Sequence, residues 1–106
     1  MTDRKLLELA AKAAGIQFSE LGSGARYAPQ PGIMQPYVPW NPLADDSDAL
    51  RLAVKLHLTV GVGLSGSTVT DAFRNPLAVN MHDNDPCAAT RRAIVHAAAE
   101  IGRNMK

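Results

Sequence analysis

The sequence predicts an α+β fold, with a small antiparallel sheet packed by three helices in the order helix, long loop, helix, strands, helix. Three observations carry that prediction. Apolar residues recur at helical spacing in three separate stretches, and between the second and third the spacing drops to two. The chain has 106 residues, which suits one domain spanning 1–106 rather than two.

Leu6, Leu9, Ala10 and Ala13 fall on one helical face and define the first helix. Thr2 can cap its free amides, Asp3 suits the positive end of its dipole, and Gly15 is placed to stop it. From about Phe18 to Pro42 that pattern is lost. The segment holds five of the seven prolines together with Gly22, Gly24 and Gly32, so it reads as a Pro/Gly-rich loop at about 18–42 with room for short extended pieces. Asp45, Asp46, Ser47 and Asp48 are cap-forming residues, and Ala49, Leu52, Ala53 and Leu56 then set a second helix from Asp46 to about Lys55.

Beyond it, Leu58, Val60 and Val62 alternate with His57, Thr59 and Gly61, the period of a strand. Gly63, Ser65, Gly66 and Ser67 read as a turn. Thr68 to Phe73 and then Leu77, Val79 and Met81 complete a meander of two or three strands. The third helix is punctuated by Asp85 as cap, Pro86 at the first helical position and Gly102 near the end, giving Pro86 to Arg103. Spaced at about 100°, Thr90, Ile94, Ala97, Ala98, Ile101 and Met105 form its expected core face, with Arg92, His96 and Arg103 opposite.

Composition narrows the function. Eleven basic and ten acidic residues leave a net charge of +1, too balanced for a protein that neutralises many duplex phosphates. Cys87 is the single cysteine and the three histidines are scattered, so neither an internal disulfide nor a four-ligand zinc pattern is expected, and no metal or cofactor. Residues 1–12 carry charges throughout, which argues against a signal peptide or membrane span and for a cytoplasmic chain. Only 5% of residues are aromatic, so the core is modest and homo-oligomerisation is expected to supplement it.

Several residues are candidates for chemistry. Trp40 either stacks on a ligand ring or plugs the small core from above. Asp45, Asp46 and Asp48 could gather a divalent cation, but a helix N-terminus wants the same residues. Arg91 and Arg92 lie early in the third helix, where the dipole does not favour a cation, and paired guanidinium groups suit bidentate phosphate recognition. His96, four residues beyond Arg92, would join them from the outer face. The alternative for this face is simple solvation. His82 and Asp83 hint at acid–base work, yet no motif sets a nucleophile beside them. Gly61 to Gly66 imitates a phosphate loop but lacks its lysine and following helix, so it reads as a hairpin turn.

Met1 to Gly15, the run Trp40-Asn41-Pro42-Leu43 with Asp45, Asp46, Asp48, Ala49 and Leu50, and Ala89-Thr90-Arg91-Arg92-Ala93-Ile94-Val95 resemble short accessory proteins of tailed phages and prophages. More loosely, the chain resembles the phage alpha-beta-alpha sandwich domain proteins, with the same order of helix, Asp-marked second helix, small sheet and final helix. The resemblance implies a phage origin and a place in the cytoplasm of the infected bacterial host. With the candidate set Trp40, Arg91, Arg92 and His96, it leads to the expectation of a non-enzymatic protein that binds a small anionic, nucleotide-type ligand and so sequesters a host immune signal. A protein–protein inhibitor of a host defence enzyme, acting through the Pro-rich loop, is the alternative, and a small hydrolase lacking a visible nucleophile comes third.

Overall fold

A computed structural model describes residues 2–15, 26–27, 38–82 and 84–105. It has the expected α+β architecture: α1 (Asp3–Ala14), β1 (Arg26–Tyr27), β2 (Val38–Pro39), α2 (Asp46–Lys55), β3 (Thr59–Val62), β4 (Gly66–Thr70), β5 (Pro76–Met81) and α3 (Pro86–Arg103). Most of the Pro/Gly-rich segment expected at 18–42 lies outside the described residues. Its described parts include β1 and β2, which pair antiparallel with Tyr27 opposite Val38. β3, β4 and β5 form the second sheet, a three-stranded antiparallel meander with a register shift between Val69 and Thr70.

Local chemistry sets the helix ends. Thr2 Oγ1 accepts from Lys5 N, and Gly15 takes the left-handed conformation (φ 71°) that closes α1. Asp45 and Asp85 accept from Ser47 N and Ala88 N as the caps of α2 and α3, with Pro86 in the first turn of α3. The β3–β4 hairpin is tighter than the sequence predicts. Gly66 and Ser67 belong to β4, where they pair with Met81 and Asn80, and Gly63 N donates to the Gly66 carbonyl across the turn. At the far end β4 stops at Thr70, because the Asp71 carboxylate accepts from Phe73 N and Asn75 N and winds the chain into a turn that leaves Phe73 exposed.

α3 is the hub of the molecule: α1, α2, β4 and β5 all pack on it, and α3 carries the helical contact with the sheet. This corrects the expected one-sided core face of α3. Ile94, Ala97 and Ala98 are buried as expected, but so are Ala93, Val95, Ala99 and Gly102, while Met105 is exposed and Thr90 and Ile101 are half-buried. A helix covered from several sides needs an apolar girdle rather than a stripe.

α1 runs parallel to α3, with Asp3 beside Arg92 at one end and Lys12 Nζ donating to the Met105 carbonyl at the other. Small residues let the two backbones approach. Ala10, Ala11 and Ala14 are buried on α1, and a Cβ added at Gly102 would overlap the Leu9 carbonyl. Gly102 therefore is a packing residue inside the helix and not the stop signal expected from the sequence. Among the described residues no helix is long and apolar enough to cross a membrane.

Candidate functional site

The four sequence-derived candidates occupy different places. Trp40 is 4% exposed and belongs to the core. It is set there by the turn that follows, in which the Asn41 carbonyl accepts from Ala44 N and Asp45 N, Asn41 N donates to the buried Asp48 carboxylate at 2.9 Å, and Pro42 is fully buried. Of the two readings of Trp40, the geometry fits the plug. Burial raises the pKa of Asp48 above the ordinary carboxylate value, with nearby Asp45 adding to the rise and the Asn41 amide opposing it.

Arg91 and Arg92 are neighbours in sequence and diverge in space, because successive residues on a helix point about 100° apart. Arg91 turns toward α2: its Nε donates to the Leu43 carbonyl at 2.9 Å and its Nη1 to Asp46 Oδ1 at 2.6 Å, with the side chain only 17% exposed. It pins the 41–45 turn and the start of α2 to α3. Arg92 turns toward α1, where Nη2 donates to Asp3 Oδ1 at 2.8 Å. This pair sits at the surface, with both side chains substantially exposed.

His96 is half-buried and borders a small cavity with Leu6, Ala99, Glu100 and Arg103. Its expected place on an open outer face is corrected by α1, which covers that side of α3. Burial lowers its pKa, Arg92 one turn away lowers it further, and Asp3 opposes both. The three aspartates at the start of α2 are each engaged by protein groups: Asp45 as cap, Asp46 by Arg91 and Asp48 by Asn41 N.

The structure does place a serine beside His82, a contact the sequence reading missed. Ser67 Oγ lies 2.7 Å from His82 Nε2 and 2.7 Å from Thr90 Oγ1, and Thr90 Oγ1 donates to the Pro86 carbonyl at 2.8 Å. Both hydroxyls rotate, so the Ser67–Thr90 contact can run in either direction, and the role of His82 Nε2 follows its tautomer. Ser67 is also fully buried, so the network ties β4 to the end of β5 and to α3. The register of the meander held the signal, since Ser67 pairs with Asn80, two residues before His82.

Two larger cavities flank the first half of α3. One, about 330 Å³, lies between α2, β3 and α3; Leu50, Ala53, Val60, Val62 and Ile94 line most of it, and Arg91 and Asp46 stand at one side. The other, about 390 Å³, lies between the end of β5, the residues leading into α3, and its first two turns. Leu43, Met81, Ala88 and Ala89 give it an apolar floor, while Asn80, Asn84, Asp85 and Arg92 supply polar groups. Arg92 is the one sequence-derived candidate that borders this cleft. Asn80 and Asn84 escaped the sequence reading because an amide carries no charge pattern, although their place just ahead of a capped helix was visible. Compared with known proteins, the chain matches no family model, no curated protein sequence and no solved structure.

Proposed function

We propose that this chain is a non-catalytic binding protein for a small anionic, nucleotide-type ligand, held in the cleft beside β5 and the first turns of α3. The observation that carries the reading is the composition of that cleft: two amides able to read the donor and acceptor edge of a base, an apolar floor for its face, and a guanidinium at the rim. Asp85 disfavours an anion at the cap itself, so the ligand's phosphate belongs at Arg92, seven residues and about 10 Å further along the helix at 1.5 Å per residue. There it takes the place of Asp3, whose exposed ion pair with Arg92 is a weak competitor. Complete burial of Ser67, which keeps its hydroxyl from a bound ligand, supports binding without turnover. With the resemblance to phage accessory proteins, the reading extends to sequestration of a host immune nucleotide in the infected cell.

Calorimetry of the full chain with a panel of cyclic dinucleotides and ADP-ribose-type nucleotides tests this. Binding without product formation is expected. Arg92→Ala should weaken it by roughly tenfold or more, because a charge-assisted hydrogen bond contributes about 1.5 to 3 kcal/mol. Asp3→Asn should tighten it, and Arg91→Ala should leave it unchanged. Absent heats across the panel would overturn the reading in favour of a protein partner, and a released product would overturn it in favour of a hydrolase.

A further inference from the structure

Arg92 belongs to two neighbourhoods at once. It borders the cleft beside β5, and its Nη2 donates to Asp3 Oδ1 at 2.8 Å on α1. His96 lies one turn further along the same side of α3, where it shares the cavity of about 140 Å³ with Leu6 of α1. Asp3 and Leu6 are three residues apart and Arg92 and His96 four, so each couple lies on one face of its helix and the two faces look at each other. One carboxylate thus stands before a guanidinium and an imidazole. Its own hold is loose: Thr2, Asp3, Arg4 and Lys5 are all exposed, and Leu6 is the first buried residue of α1.

The three groups compete. While His96 is neutral, the guanidinium is the only cation of its couple and holds Asp3. A proton on His96 changes both sides of the contact, because an imidazolium attracts the Asp3 carboxylate and repels Arg92. Burial is the main cause of the lowered His96 pKa, and the same two groups act on it with opposite signs, Arg92 lowering it and Asp3 raising it. The other charges around the ring are Glu100, paired with Arg103 at 3.9 Å, and the chain's amino group, which also disfavours the proton. We infer that Asp3 is shared between Arg92 and His96, closing on Arg92 when the imidazole is neutral and passing to the imidazolium in acid, so that Arg92 is released to bind an anion. That this anion is the ligand's phosphate rests on the nucleotide-cleft reading. The coupling is reciprocal: an anion that occupies Arg92 frees Asp3 for His96 and strengthens the ring's hold on its proton.

Titration of the full chain with sulfate, which keeps its charge across the histidine range, tests the inference through the amide and side-chain NMR signals of Arg92, with ionic strength held constant by chloride. The affinity is expected to rise by about twofold to fivefold as pH falls from about 8 to about 5, the worth of releasing one exposed ion pair. In Asp3→Asn sulfate should bind at the tighter level throughout. Without any anion, that substitution should move the His96 imidazole titration to lower pH, whereas Arg92→Gln should move it to higher pH. His96→Gln should keep the weaker level at every pH, with circular dichroism unchanged. A sulfate affinity that is independent of pH, or no sulfate response of Arg92 at either end of the range, would overturn the inference. So would a pH dependence that survives Asp3→Asn, because His96 would then act on the anion directly as a second cation. ADP-ribose in place of sulfate separates this device from the cleft: sulfate behaving as stated while ADP-ribose leaves Asn80 and Asn84 unshifted would remove the nucleotide reading and leave the shared carboxylate standing.

Discussion

The two helices that flank α3 are packed in different ways. Along α1 the contact is closed: alanines face a glycine, and the backbones approach so nearly that Gly102 has no room for a Cβ. Along α2 the contact is open, with Arg91 bridging to Asp46 and Leu43 at one end and an apolar groove beside Leu50 and Val54. Both helices are of similar length and both are properly capped. The difference lies in side-chain size at the seam. Small residues give a close joint on one side of α3, whereas larger ones left outside the joint on the other stay exposed.

Substitutions can break or sharpen that contrast. The largest effect is expected on the closed side. Gly102→Val places atoms where the Leu9 carbonyl already stands, and should cost about 3 kcal/mol or more, since overpacking a rigid joint displaces backbone. Chemical denaturation would measure it; a loss under about 1 kcal/mol would mean the seam yields easily.

Ser67→Ala comes next. It removes the hydroxyl that both His82 Nε2 and Thr90 Oγ1 contact at 2.7 Å, for a predicted loss of about 1 to 3 kcal/mol. If the stability were unchanged, the network would be incidental. Arg91→Ala should cost about 1 to 2 kcal/mol by releasing the Leu43 carbonyl and Asp46. Hydrogen exchange should show that loss concentrated in α2, with α1 unaffected.

The smallest effect is a change in pH dependence. The pKa of His96 is lowered in the folded chain by burial and by Arg92, against the opposing charge of Asp3. The folded state therefore binds its proton less readily than the unfolded chain, so stability should fall as pH drops through the ordinary histidine value of 6.5 toward the lowered one. Glu100 and Arg103 border the same cavity. His96→Gln should flatten the slope there, as thermal melts between neutral and mildly acidic pH would show. An unchanged slope would put the acid sensitivity elsewhere, Asp48 being excluded by sign because its raised pKa favours the folded state as pH falls.

What could be read from the sequence was what is local in the chain. The caps at Thr2, Asp45 and Asp85, the Pro86 start and the α2 boundaries depend on residues within a turn of one another, and they appear as expected. Gly102 could be read either as a stop or as a close approach, because the decision belongs to Leu9, far away in the chain. The arginine pair shows the same limit. Adjacency suggested joint action, whereas Asp46 and Asp3 hold the two side chains toward different helices. Trp40 is held inward by a turn whose Asp48 contact lies seven residues on from Asn41.

The nucleotide cleft is the central claim, and amide chemical-shift mapping of the labelled full chain during titration with a cyclic dinucleotide or ADP-ribose tests it most directly. The account predicts saturable shifts at Asn80, Met81, Asn84, Ala88, Ala89 and Arg92, with Asp3 following as its ion pair is displaced, and none at Leu50, Val54 or the Ala10–Gly102 seam. Shifts centred on Trp40 and Arg91, or no saturable shifts with any nucleotide, would contradict it.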